Sequence, residues 1–106
     1  MEIIRIRQRL EELPEEIFKA EIDYVTAKAT MEHMNDMKRH LLATLKNNLP
    51  KASNAAQETF ALAHIDYKRH LEGIHSTTLE SGMKGAYYHK LKNELDAMRS
   101  LNKNID

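Results

Sequence analysis

The chain has 106 residues, with 16 basic and 16 acidic side chains, three glycines, two prolines and no cysteine. One domain is expected at this length, and the lack of thiols excludes disulfides, zinc knuckles and thiol catalysis. A formal charge of zero gives no bulk attraction to nucleic acid, and a chain rich in Ala, Leu, Met, Glu and Lys favours long helices over sheet.

The first expected helix covers about residues 2–13, where Ile3, Ile6 (or Ile4) and Leu10 recur at helical spacing. A kink or short break is expected at Leu13-Pro14, because proline suits a first turn and disrupts an interior. The second helical stretch, about 15–47, opens on Pro14 with Glu15 and Glu16 at the positive end of the helix dipole. Its Ala20, Tyr24, Ala27, Met31, Met34, Lys38, Leu41 and Leu45 are spaced 4-3-4-3-4-3-4, a heptad seam interrupted only by Lys38. Asn47, Asn48 and Pro50 close it.

A further helix, about 53–73, follows "LPKASN", where Ser53 or Asn54 can cap it. Ala56, Phe60, Ala63, Tyr67, His70 and Ile74 form its seam, and Gly73 is its expected stop. Thr77-x-x-Glu80 then reads as a capping box for a last helix, about 78–102, carrying Met83, Tyr87, Leu91, Leu95, Met98 and Leu101. Fusion of these two helices through Gly73 is the alternative. The fold class expected is all-α: one helical domain over 1–106, an antiparallel three-helix bundle or long helical hairpin with coiled-coil-like seams. An up-down-up order makes the 15–47 helix and the last helix parallel. Thin, alanine-rich seams favour pairing with another copy, so a homo-oligomer is expected.

Charge is uneven along the chain. Residues 1–36 hold five basic and nine acidic side chains, net −4, and residues 37–106 hold eleven and seven, net +4. This polarity either orients the helices against each other or steers a partner. The start "MEIIRIRQRLEELPEE" lacks a secretory core, and no apolar run approaches the ~20 residues of a membrane span, so a cytoplasmic location and no membrane partner are expected.

Three constellations carry candidate chemistry. "HLEGIH" contains Glu72-x-x-His75 one turn after His70, the i, i+3 pair of carboxylate-bridged metal bundles. Such a site needs the pair on two helices, and it occurs once, so a helix end is the preferred reading; no metal and no cofactor are expected. Lys38, His70 and Glu94 form a polar set in the seams, and Lys38 and Glu94 could meet as a partly buried pair fixing register, or each extend to water. The last helix gathers Lys84, Tyr88, His89, Lys90, Lys92 and Arg99, aromatic and basic residues of the kind that stack bases and neutralise phosphates. Here Tyr87 is assigned to the seam and Tyr88 to solvent. Glu94 and Asp96 dilute the charge, so nucleic-acid binding is expected to be weak at most. No nucleophile and base share a recognisable setting, and no glycine-rich phosphate loop exists, so the chain is read as no enzyme.

"YVTAKATMEHMNDMKRHLLA" leading into "ASNAAQETFALAHIDYKRHL", with "KLKNELDAMRSLNKN" near the end, resembles the small all-helical early-region proteins of phages and prophages. The resemblance rests on Tyr24 to Lys28, on Ala55, Ala61 and Tyr67, and on Met98-Arg99-Ser100, over about residues 20–103. Those proteins have no settled activity, so the resemblance implies a context, phage DNA recombination or replication in the cytoplasm of a bacterial host, and no residue roles. The leading reading is a non-enzymatic helical accessory protein that acts by binding a protein partner. An inhibitor of a host defence or replication protein and a small metal-binding helical bundle are the alternatives.

Overall fold

A computed structural model describes residues 2–105. They contain three α-helices and no strand: α1 is Glu2–Lys46, α2 is Asn54–Ala63 and α3 is Ile65–Ile105. The all-α class follows composition. The helix boundaries depart from expectation at three places, each for a separate reason.

α1 runs through Pro14 without the expected break. Proline in a helix interior removes one hydrogen bond and crowds the preceding turn, a cost of about 3 kcal/mol. Packing offsets it. Leu13 is fully buried with Ala20 and Leu91, and Ile17, Tyr88, Leu95 and Met98 close around them. Positions 6, 10, 13, 17, 20 and 24, spaced 4-3-4-3-4, are all buried or half-buried. A break at Pro14 would put the residues on either side out of register, and each fully buried aliphatic side chain contributes about 1.5–3 kcal/mol.

Residues 65–105 form one helix, so the stop expected at Gly73 and the new start at Thr77 are both absent. No glycine among the described residues has a positive φ. The Thr77 hydroxyl donates backwards to the carbonyls of Gly73 (2.9 Å) and Ile74 (3.1 Å), and Thr78 donates to Ile74 (2.7 Å). These are mid-helix threonine bonds, the opposite direction from a capping box. Gly73 instead permits close approach: a Cβ there would lie 2.6 Å from the terminal methyl of Met34.

The real break falls at His64, which has φ −69° and ψ 139°. Its Nδ1 accepts the Asp66 N–H at 3.0 Å, so an imidazole takes the place of the usual hydroxyl or carboxylate cap of α3. The ring also meets Phe60 edge-on, with centroids 5.5 Å apart. The start of α2 is the one expected, with Ser53 as N-cap and its Oγ accepting the Ala56 N–H at 3.2 Å. Ala61 is the buried residue of α2, with Phe60 half-buried, whereas Ala56 and Ala63 are exposed. The break at His64 turns the α2 seam away from the register extrapolated from Tyr67.

Contacts divide the chain into two compact units. Unit 1 is Met1–Ala27 with Ser81–Asp106, and unit 2 is Lys28–Glu80. Within unit 1 the α1 and α3 segments are antiparallel: Arg9 pairs with Glu94, Leu13 packs with Leu91, and the Tyr24 ring meets Tyr88. Within unit 2, Met34 meets His70, while Leu45 packs with Ala61 and Tyr67, flanked by Leu41 and Leu42. These segments are antiparallel too. The parallel arrangement expected for the first long helix and the last is therefore corrected, because merging two expected helices removes one reversal of the chain.

Candidate binding surface

Continuity of α3 changes which side of it faces inward in unit 1. Ser81, Gly85 and Leu91 are buried, and Tyr88, Leu95 and Met98 are half-buried. Tyr88, read from sequence as solvent-facing, packs against the Leu13–Ala20–Leu91 cluster. Tyr87, read as a seam residue, is 52% exposed, and its expected seam neighbours Met83 and Leu101 are exposed as well. The expected seam opened 83-87-91-95, three steps of four, which drift round a helix. The observed 81-85-88-91-95-98 alternates around 3.5 and stays on one line.

The aromatic cluster is built on this line. Tyr24 lies 6.0 Å from Tyr88 and 6.2 Å from His89, centroid to centroid, and Tyr88 lies 5.3 Å from His89. The Lys92 ammonium sits 5.2 Å from the Tyr88 centroid, within cation–π range. Gly85 makes this possible, since a Cβ would stand 2.9, 3.2 and 3.3 Å from three Tyr24 ring carbons. Of the residues singled out on the last helix, the structure brings together Tyr88, His89 and Lys92. Lys84 lies apart from them, half-buried beside Tyr87, and Lys90 and Arg99 are exposed. Tyr88, between Tyr24, the core and Lys92, does not present the open ring that a nucleobase stacks on.

Glu94 belongs to a different ion pair from the one considered. Arg9 donates to it through Nε (2.6 Å) and Nη2 (3.3 Å), and also reaches Glu12 and Glu16 through Nη1. Hydrogen bonding to Glu94, then to Glu16, raises the guanidinium pKa above its already high ordinary value against the opposing effect of burial. The bidentate geometry matches a carboxylate and pins α1 to α3 in unit 1. Lys38 instead lines a small hollow with Asn35, Arg39 and Leu42 in unit 2. His70, half-buried in unit 2, donates from Nε2 to the Met34 carbonyl at 2.7 Å, which fixes the proton on that nitrogen.

"HLEGIH" is not a helix end. Glu72 and His75 lie exposed in the middle of α3, so His75 has no terminal carbonyls to meet. His70 turns to α1, away from that pair. No cluster of three or more His, Cys, Asp or Glu suited to a metal occurs among the described residues.

The outer faces of unit 1 carry the apolar groups that the core does not use. On α1, Phe18 (62% exposed), Ile22 and Val25 (58%) recur at 4-3 spacing and form a ridge offset from the buried 17-20-24 line. Exposed Glu11 and Glu15 precede it on the same face, at three- and four-residue steps. Glu15 makes a long, solvated pair with Lys19 (3.5 Å). Elsewhere in unit 1, Ala20, Asp23, Met83, Lys84 and Tyr87 line an open groove of about 300 Å³. Met83, at 72%, is the most exposed large apolar side chain of the described residues. Sequence reasoning overlooked this ridge because it sought one seam per helix. The 18-22-25 spacing was legible as a second stripe.

No family model, curated protein or solved structure matches this chain. No helix among the described residues is long and apolar enough to cross a membrane.

Proposed function

We propose that the chain is a non-enzymatic helical accessory protein that acts by binding another protein chain, with coiled-coil-like seams holding the helices of each unit together. The observation that carries this reading is the Phe18–Ile22–Val25 ridge: three large apolar side chains in heptad spacing on the outward face of α1, where they contribute nothing to the core of unit 1. Contiguous exposed apolar surface on a small protein marks an interaction site, and 4-3 spacing suits a partner helix. On the resemblance to phage early-region proteins, the context we propose is phage DNA recombination or replication. Direct nucleic-acid binding has less support, because Tyr88 is packed and the basic residues of α3 are dispersed among Glu94, Asp96 and solvent.

A photo-crosslinking residue placed at Ile22 and irradiated in cells tests the reading. A discrete protein adduct from position 22, lost when Phe18 becomes serine, is expected. No adduct from position 22 would refute the role assigned to the ridge.

A further inference from the structure

The ridge and the groove of unit 1 suit each other, and they lie on different faces of one chain. We propose that the ridge of one copy docks in the groove of a second, so that the protein self-associates head to tail. This rests on the ridge being a protein-binding surface, and it names the occupant.

Shape gives the first argument. Phe18, Ile22 and Val25 project in a row, and the groove is an open apolar trough of about 300 Å³ floored by Ala20 and sided by Met83 and Tyr87. Met83 and Tyr87 are four residues apart, the separation of Phe18 and Ile22, so the two pairs can interleave as ridges and grooves do between packed helices. Charge gives the second. Glu15 continues the ridge towards the N-terminus, and Lys90 continues the groove's side of α3 towards the C-terminus, with Lys84 in the groove itself. Laid antiparallel, Phe18 beside Tyr87 and Ile22 beside Met83 brings Glu15 beside Lys90. Asp23 in the groove adds an acceptor for Lys19, which flanks the ridge one residue, about 100°, round from Phe18. Opposite charges at the rim fix register and orientation.

Two consequences follow. Ridge and groove are separate residue sets, so the contact is heterologous and each added copy leaves one ridge and one groove open. The contact is also small. Five principal apolar side chains fall short of the ~800 Å² per partner of a standard stable interface. Self-association is therefore weak, with growth over tens to hundreds of micromolar rather than a tight dimer.

Sedimentation equilibrium up to about 500 µM chain, a range set by the small contact, tests this with two exposed-site variants. Wild-type mass is expected to climb from 12.3 kDa past that of two chains as concentration rises. Phe18→Ser lacks a ridge and Met83→Lys lacks a groove, and each alone is expected to stay at 12.3 kDa with unchanged far-UV circular dichroism. An equimolar mixture joins the sound ridge of one to the sound groove of the other, giving heterodimers and nothing larger. Three results would each overturn the proposal: a monomeric wild type over the whole range, either variant assembling alone as wild type does, or a mixture that fails to pair. A monomeric wild type whose position 22 still crosslinks a different protein sinks self-association and leaves the binding role of the ridge standing. A monomer with no crosslink sinks both.

Discussion

Alanine at each of the three glycines separates helix propensity from packing. Replacing glycine by alanine inside a helix stabilises by about 1 kcal/mol when the methyl meets nothing. Gly82 has open space around its would-be Cβ, so Gly82→Ala should gain that amount. At Gly85 the new methyl would stand 2.9 Å from Tyr24 Cε1 and 3.2 Å from Cζ, well inside the ~3.5–4.0 Å optimum for carbon pairs. The Tyr24 ring has Tyr88 and His89 beside it and cannot fold aside as a flexible chain does. Overpacking of this kind costs about 1–3 kcal/mol, which exceeds the propensity gain, so Gly85→Ala should destabilise by about 1 kcal/mol. Gly73 lies between them: its neighbour at 2.6 Å is the methyl end of Met34, which three soft torsions can move. Its net change should fall within about 0.5 kcal/mol. Thermal melts followed by circular dichroism should put Gly82→Ala about 4–8 °C above wild type and Gly85→Ala below it by a similar margin. In a Tyr24→Ala background the Gly85→Ala penalty should disappear. A Gly85→Ala gain matching that of Gly82→Ala, or an undiminished loss without the Tyr24 ring, would refute the packing argument.

The inward and outward tyrosines should separate clearly in urea denaturation: Tyr88→Ala costs about 2–3 kcal/mol, and Tyr87→Ala stays within about 0.5 kcal/mol. The reverse ranking would restore the seam read from sequence. Pro14→Ala should raise the denaturation midpoint, recovering part of the ~3 kcal/mol that an interior proline costs, and a lower midpoint would mean that the proline supports the local structure. Proline scanning locates the true helix start: Ile65→Pro, at the first position of α3, should cost less than about 1 kcal/mol, while Ile74→Pro should cost about 3 kcal/mol or more. Equal losses would count against a break at His64. Thr77→Ala should be neutral or slightly stabilising, because its hydroxyl bonds backwards within a helix. A loss near 1 kcal/mol would instead indicate a cap.

Composition and periodicity were enough to determine that this protein is helical, where α2 begins and which line of α1 faces inward. The positions chosen on α1 from Ala20 to Leu45 are all buried or half-buried, since a 3.5-residue repeat allows only one inward line on a helix of that length. Ser53 was equally legible, because its capping bond lies within four residues of sequence.

Only tertiary structure decided the rest, and at Pro14, Gly73 and Glu94 a contact distant in sequence outweighs a local signal. Pro14 reads as a break until Leu13 and Leu91 pack across it. Gly73 and Thr77 read as a stop and a start until Met34 packs over the glycine and the threonine turns its hydroxyl back into the helix. The break at His64 carries no composition signal, since an imidazole becomes a cap only when the chain has already turned there. Glu94 meets Arg9 only because α1 and α3 run antiparallel in unit 1, which no local feature of either segment indicates. The choice between Tyr87 and Tyr88 follows from the register of α3. One residue of register on α3 is about 100° of rotation, enough to exchange a core ring for a surface ring, and that register was set by the continuity of a helix whose local sequence suggested that it should end.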